Sequence, residues 1–396
     1  MSSPAVSIVI TTYQLPEHLR RVLAAVEMQT VASQLEVIVA DDGSTDETPQ
    51  VVQRFADRAP FAVKYVSHTH DGFQLSRTRN EGVLQATAPH IVFLDGDCLI
   101  EPDHIEQHLK CWRPDHVTNT YCVRFDEPTS QQITVDQIRS GEFLRWVPKS
   151  DLRKLTIMQW KAWFNRAIGH SRLPALRGGN MGIKRADYLR VNGYDERFKA
   201  WGKEDDDLGM RLRALGMKVD YILHRTRTYH LWHPPADGRG QKFKTGDNYK
   251  YFNRPIKLSK CLDGLVERAP CQLTVRLNGA AADSSEAHRW VQAAGLTTVR
   301  DLKQPVDVEV SLASEGNFSR HCDCRVVIAG GAAGQTSFAT RHADVVLSID
   351  GSLGREHQVR LPLNEIASFY AALGYADPLA QLAGRDPAQR LGKWAA

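Results

Sequence analysis

The sequence predicts an α/β protein: a mostly parallel sheet with helices on both faces, followed by a second, smaller α/β domain. Three observations carry that expectation. Short β-branched runs alternate with helix-period segments from residue 1 to about 100. The 396 residues exceed one typical core, so two domains are expected. After about residue 255 the periodic signal weakens and a new series of strand-like runs begins. The expected division is 1–255 and 256–396.

The elements follow in order. Val6–Ile10 is β-branched and reads as a strand, with Thr11, Thr12 and Tyr13 as the turn after it. Leu19, Leu23 and Val26 fall on one helix face. Leu35–Ala40 is a second buried strand that ends in the turn Asp41-Asp42-Gly43. Ser44 and Glu47 have the spacing of a capping box, which predicts a helix start there, with Val51, Val52 and Phe55 as its apolar face. Ala62–Val66 is a third strand, Leu75–Ala86 a helix, and Ile91–Leu94 a fourth strand. Parallel sheets bind ligands beyond the carboxyl ends of their strands. Thr11–Tyr13, Asp41-Asp42 and Asp95–Asp97 all lie at such ends and are expected to share one crevice.

Residues 145–177 interleave lysines and arginines with Trp146, Leu155, Ile157, Met158, Trp160, Trp163 and Phe164. This pattern suits either an interfacial segment that meets anionic lipid or a lipid-linked acceptor, or a basic helical lid whose aromatics pack on the sheet. The polar stretch 237–255 is the expected boundary. Beyond it, Cys271–Leu277, Val306–Leu312, Arg325–Ala329 and Ala343–Leu347 read as strands, and the glycine-rich turn Gly330–Gly334 has a composition that can cradle a phosphate.

Composition excludes several classes. The net charge of +4 gives no ground for a nucleic-acid partner. No apolar run reaches the roughly 18 to 20 residues a membrane span needs. The first residues lack the basic region of a signal peptide, so a cytoplasmic location is expected, with the membrane's inner face open as a docking surface. Seven scattered cysteines do not make a disulfide framework. His321-Cys322-Asp323-Cys324 has no second pair at zinc-site spacing. No Gly-x-Gly-x-x-Gly follows the first strand and no Gly-Lys-Ser/Thr loop occurs, which argues against dinucleotide and P-loop enzymes.

Two acidic clusters carry the chemistry. Asp95 and Asp97 are two apart, and in an extended segment both carboxylates face one side. Anionic oxygen ligands suit manganese or magnesium, and such an ion neutralises charge on a departing diphosphate. Asp41 and Asp42 can cap the following helix or hydrogen-bond a base or ribose. Tyr13 can either stack on a base or serve the turn structurally. Of Arg77 and Arg79, which cannot share a helix face, Arg79 is expected to point inward as a phosphate fork. Glu204–Gly216 reads as a helix with Leu208, Leu212 and Leu215 inside and Gly216 at its end. Its acids suit a helix N-terminus, but Trp201-Gly202 just before them adds a sugar platform beside crowded carboxylates, one of which can serve as a general base. Tyr229–Pro235 carries His230 and His233, either of which can complete a metal site.

Taken together, these residues resemble the family 2 inverting glycosyltransferases of the GT-A fold. Ser7–Tyr13 and Val39–Ser44 are similar to the family's first two strand–turn units. Gly72–Ser76, Arg79-Asn80 and Leu94–Asp97 resemble its chondroitin-polymerase-like branch. Gly178–Asn180 and Trp201–Asp205 resemble a galactosyltransferase-type second half, with Lys203 standing where that pattern has glycine. The resemblance covers roughly residues 5–240 and implies a nucleotide-binding half at 1–110 and an acceptor half at 170–240. It implies that Thr11, Tyr13, Asp41, Asp42, Gln74, Arg79 and Asp95 hold a UDP-sugar. Asp97 with His230 or His233, His230 preferred, would bind manganese or magnesium. Asp205 would be the base, and Glu204, Trp201, Gly179 and Asn180 would meet a glycan or lipid-linked acceptor. Bacterial surface polysaccharide synthesis is the implied setting. A sugar nucleotidyltransferase and a non-catalytic glycan-binding module of the same fold are the alternatives. The first would need a basic triphosphate loop after the first strand, and the second would be indifferent to Asp205→Asn.

Overall fold

A computed structural model describes residues 3–170, 173–234, 246–253 and 258–268, and beyond them 273–284, 287–288, 291, 297–301, 306–312, 322–329 and 345–348. The chain divides into two compact units: residues 1–252 with 263–265, and 253–262 with 266–396.

The first unit opens with β1 (Val6–Thr12), α1 (Pro16–Glu27), β2 (Leu35–Asp41), α2 (Thr48–Ala56), β3 (Ala62–Ser67), α3 (Leu75–Gln85) and β4 (His90–Asp95). β1 and β2 are buried along their whole length, as strands in a sheet covered on both faces must be, and their buried Ser7 and Glu36 hydrogen-bond each other at 2.6 Å. There follow β5 (Cys98–Ile100), α4 (His104–Cys111), β6 (His116–Asn119), β7 (Cys122–Arg124), α5 (Glu127–Gln132), α6 (Val135–Arg139) and the long α7 (Lys149–Ala167). β8 (Met181–Lys184), α8 (Arg185–Arg190), α9 (Glu204–Ala214), β9 (Lys218–Tyr221), β10 (Thr228–His230) and α10 (Asp247–Phe252) complete the unit.

Seven strands form one sheet in the order β3-β2-β1-β4-β8-β6-β9. It is parallel except where β8 runs against β4 and β6. A three-stranded sheet, β5-β10-β7, sits apart from it. This small sheet matters because β10 pairs antiparallel with β5 and sets His230 opposite Cys98, the residue after Asp97. The Leu231 amide donates to the Asp97 carbonyl at 2.8 Å and fixes that register. A mixed α/β sheet of this kind is the expected fold class. Among the described residues, no helix is long and apolar enough to cross a membrane.

Three local expectations need correction. Thr11 and Thr12 continue β1, paired with Ala40 and Asp41 of β2. Ser44 and Glu47 do not form a capping box. α2 begins at Thr48, and the Ser44 hydroxyl instead donates to Asp41 while accepting from the Gln14 amide. Asp95 and Asp97 do not share an extended segment, because β4 ends at Asp95 and a tight turn through Gly96 and Asp97 leads to β5.

The second unit has a five-stranded sheet in the order β12-β11-β13-β14-β15, all parallel: β11 (Thr274–Leu277), β12 (Thr297–Thr298), β13 (Val306–Leu312), β14 (Cys322–Ala329) and β15 (Val345–Ser348). Arg276 and Glu309 form a buried pair at 2.7 Å across β11 and β13. The glycine-rich turn 330–334, His321 and most of the 237–255 boundary stretch lie outside the described residues.

Candidate active site

The turn after β4 brings the two aspartates into two adjoining clusters. Asp97 faces a histidine pair. Its Oδ2 lies 3.1 Å from His233 Nε2 and 3.4 Å from His230 Nε2, and its Oδ1 accepts from the Cys98 thiol at 3.2 Å. Burial alone would raise the Asp97 carboxyl, but the His233 hydrogen bond and the charge of both histidines outweigh it and hold it down to about 2. The His233 Nδ1 lies 2.8 Å from the Pro234 carbonyl, an acceptor that calls for a proton on Nδ1. With Nδ1 so used, Nε2 meets the Asp97 carboxylate as the donor of a second ring proton or, in a neutral ring, as a lone pair. Two acceptors at that distance repel unless a proton or a cation lies between them. One ligand atom from each of Asp97, His230 and His233 lies within 4.8 Å of the others. A carboxylate with two imidazoles is a donor set that fits a divalent ion of the manganese type. His18, held by the Trp232 carbonyl at 2.9 Å, stands edge-on to His233 behind this group.

Asp95 keeps one carboxylate oxygen within 4.8 Å of Asp97 and the Cys98 sulfur and also enters a network around Arg79. The Arg79 guanidinium is 2% exposed. Its Nη2 lies 3.2 Å from Asp95 Oδ1 and its Nη1 3.1 Å from Asp205 Oδ1. Burial works to lower the Arg79 pKa, but Tyr194, Asp205 and Asp95 around it win and raise it, so it stays charged. The inward placement of Arg79, with Arg77 outside on Glu81, is as expected. The free phosphate fork is not: both terminal nitrogens of Arg79 are engaged by carboxylates.

Asp205 opens α9. Its Oδ1 also accepts from the Tyr194 hydroxyl at 3.0 Å, and the Arg79 guanidinium stacks 5.0 Å from the Tyr194 ring centroid. Beside it, Glu204 is buried, with an Oε2 that has no hydrogen-bond partner among the described residues. Burial first and Asp205 second push the Glu204 carboxyl up to about 8. At neutral pH Glu204 is therefore largely protonated and can donate a hydrogen bond. The segment before α9 is turned by Gly202 (φ 96°) and Lys203 (φ 78°), the second a left-handed conformation that glycine adopts more easily. Lys203 is kept there by Asp206 at 3.0 Å and by the Phe252 ring. Asn248 of α10 donates to the Ala200 and Gly202 carbonyls and holds the loop that carries Trp201, which is 43% exposed.

Gly178 and Gly179 allow these groups to meet. A Cβ on Gly178 would lie 2.1 Å from Asp205 Oδ1 and from the Tyr194 hydroxyl, and one on Gly179 would lie 1.9 Å from Asp95 Oδ2. Asn180 is buried, and its carbonyl accepts from Asn119 and Thr120, which ties this turn to β6. Thr11 reaches the same place, with its hydroxyl 3.4 Å from Asp95 Oδ1.

The remaining expected donor residues form an adjoining group at the end of β2. Asp41 does not present a carboxylate to a ligand. Its oxygens are taken by the Ser44 amide and hydroxyl, Tyr65 and Ser67, because the turn needs those acceptors. Asp42 binds His68 at 2.9 Å and the Gln74 amide at 3.1 Å, and so shapes the 68–74 loop. The Gln74 side-chain nitrogen is buried without a partner among the described residues. Tyr13 is 40% exposed, with one face stacked on His70 at 4.2 Å and the other free of any ring contact among the described residues.

Sequence reasoning missed Tyr194 and His18, and it named Gly178 only within the Gly178–Asn180 motif, without a role. Asn192 and Gly193 both have positive φ, and this reversal turns Tyr194 back toward Asp205. The Asn-Gly pair was the available signal.

Comparison with known proteins bears on the same stretch. Residues 7–168 match the glycosyl transferase family 2 model, and residues 162–234 match the N-terminal domain of galactosyltransferase. Validoxylamine A glucosyltransferase of Streptomyces hygroscopicus subsp. limoneus is 32% identical over 232 residues, 54% of this chain and 49% of that protein. Chondroitin synthase of Escherichia coli is 27% identical over 223 residues, 53% of this chain and 32% of that one. The chain thus spans at most about half the length of these relatives. Among solved structures, the mannosyltransferase PcManGT of Pyrobaculum calidifontis, in complex with GDP-Man and Mn2+, superposes with a TM-score of 0.42 at 19% identity, over 60% of this chain and 59% of that one. With the two family models overlapping at 162–168 and together covering residues 7–234, where the carboxylates of both halves meet at Arg79, this stretch carries a glycosyl transferase family 2 domain followed by a galactosyltransferase-type domain.

Proposed function

We propose that the chain is a metal-dependent, inverting glycosyltransferase that moves a hexosyl or N-acetylhexosaminyl group from a UDP-sugar to a hydroxyl of a glycan or lipid-linked acceptor. One observation carries the reading: Arg79 ties Asp95, next to the Asp97–His230–His233 group, to Asp205, next to the buried Glu204. Donor-side and acceptor-side carboxylates are thereby held in one network.

The residues divide the work. Asp97, His230 and His233 would hold the divalent ion, which when bound neutralises charge on the departing diphosphate. Thr11, Tyr13, Asp42 and Gln74 line the nucleotide side, with the open face of Tyr13 toward the base. Asp205 is the general base. Its Oδ1 is fixed by Arg79 and Tyr194, which leaves Oδ2 to take the acceptor proton. Glu204 donates a hydrogen bond to the acceptor, and Trp201 offers it an exposed aromatic face. Two neighbouring carboxyl groups thus take opposite roles because burial pushes one of them up.

The names of the relatives suggest where to look: glucose is the first donor to test, and a polysaccharide of a bacterial surface is the favoured product. The segment 145–177 would bring the protein to the inner face of a membrane, where lipid-linked acceptors lie. The test is the anomeric configuration of the product, read by NMR. A single displacement with Asp205 as base inverts the donor's configuration, and retention would contradict it.

A further inference from the structure

Helix α7 buries Leu155, Gln159 and Ala162 on one face. On another it carries Ile157, Trp160 and Phe164, which are 55%, 64% and 64% exposed, and Ile168 at its end is 59% exposed. These positions are three, four and four apart and make one continuous ridge. From residue 152 to 177 the sequence holds six lysines and arginines and no aspartate or glutamate. The lid alternative, with the aromatics packed on the sheet, does not describe Trp160 and Phe164.

Next to the ridge is a cavity of about 240 Å³, lined by Lys110, Arg113, Arg166 and Arg225, with His224 and a single carboxylate, Asp220. Asp220 accepts from Arg113 and Arg166, and Lys110 is held by Glu106 from outside the lining. Arg225 is exposed and has no acidic partner among the described residues. Trp163 joins the two features: its ring lies edge-on to Trp160 at 5.1 Å and faces His224 at 5.4 Å. No residue of the Asp97 or Arg79 clusters lines this cavity.

We propose that α7 docks on an anionic phospholipid bilayer, with the ridge in the interfacial layer and the Arg113–Arg166–Arg225 cavity holding the phosphate of one lipid headgroup. This rests on the membrane reading above and adds to it a specific site. Large apolar side chains flanked by cations are the pattern of an interfacial helix. An acidic glycan would satisfy the arginines but would leave Ile157 and Ile168 in water.

The full chain is sedimented with vesicles of phosphatidylcholine, alone or with about one third phosphatidylglycerol, at low and high salt. Binding is expected only to the anionic vesicles and to weaken with salt. Trp160→Glu with Phe164→Glu is expected to lower it at least about tenfold, and Arg225→Glu about fivefold at equal ionic strength. All three positions are exposed and outside the candidate active site, so thermal midpoint and sugar-nucleotide turnover should hold. Anionic-vesicle binding that ignores Arg225→Glu would overturn the headgroup site while leaving membrane contact standing. Equal binding to both vesicle types, none to either, or capture of an acidic polysaccharide in their place would overturn the docking proposal. None of these outcomes touches turnover with a soluble acceptor, which tests the catalytic reading separately.

Discussion

Gly178→Ala and Gly179→Ala separate the two halves of the proposed site with one methyl group each. In Gly178→Ala the new Cβ would lie 2.1 Å from Asp205 Oδ1 and the Tyr194 hydroxyl and 2.5 Å from Arg79 Nη1, whereas ordinary contact begins at 3.4 Å. The carboxylate or the turn must retreat by about 1.3 Å, and Arg79 and Tyr194 both hydrogen-bond Asp205 Oδ1. A misplacement of about 1 Å at a catalytic group costs on the order of 100-fold in rate, and overpacking costs about 1–3 kcal/mol in stability. Turnover of the Gly178→Ala enzyme should therefore fall about 100-fold while UDP affinity stays near wild type. In Gly179→Ala the Cβ meets Asp95 at 1.9 Å, but that side chain is 37% exposed and can swing outward, releasing Arg79 and Thr11. Its main defect should be in donor affinity. Calorimetric titration with UDP and single-turnover transfer measure both quantities, with the thermal midpoint as the control for folding. A Gly178→Ala enzyme within about threefold of wild-type turnover would refute the tight placement of Asp205.

Other outcomes follow from the same geometry. Asp205→Asn should lose turnover by about three orders of magnitude with little change in UDP affinity, because it removes a proton acceptor but keeps the volume. Tyr194→Phe should lower turnover about tenfold by freeing one hydrogen bond to Asp205, without moving donor KM. Glu204 gives a pH signature. Its folded value of about 8 stands above its ordinary 4.5, so the stability it contributes is fully present below about 4.5 and is lost as pH rises toward 8. The unfolding free energy of wild type should decline across that window by at most about 1.4 kcal/mol per pH unit from this one group, and Glu204→Gln should flatten the decline.

The legible parts of the fold are those set by local pattern. Ile8, Val9 and Ile10 or Val37, Ile38 and Val39 can only be buried strands, and Leu208 and Leu212 place the inner face of α9 by spacing alone. Acidic residues at strand ends pointed to the crevice because ligand sites lie there in parallel sheets. What failed was competition for a side chain. Ser44 has the spacing of a cap, yet Asp41 needs its amide and hydroxyl more, since Asp41 itself is buried. What was missed was tertiary. The bond from Tyr194 to Asp205 and the bridge from Arg79 across 126 residues have no periodicity to reveal them. Gly178 is small because three side chains from distant elements converge on it, and a sequence shows only that it is glycine.

The most direct test of the central claim is UDP release from a panel of UDP-sugars by wild type and Asp97→Ala, with and without manganese, first in water and then with oligosaccharide acceptors. Manganese-dependent release from one donor by wild type, lost in Asp97→Ala, is the predicted result. Release by wild type that is indifferent to manganese, or undiminished in Asp97→Ala, would contradict the assignment of Asp97, His230 and His233 as the metal site of a glycosyltransferase.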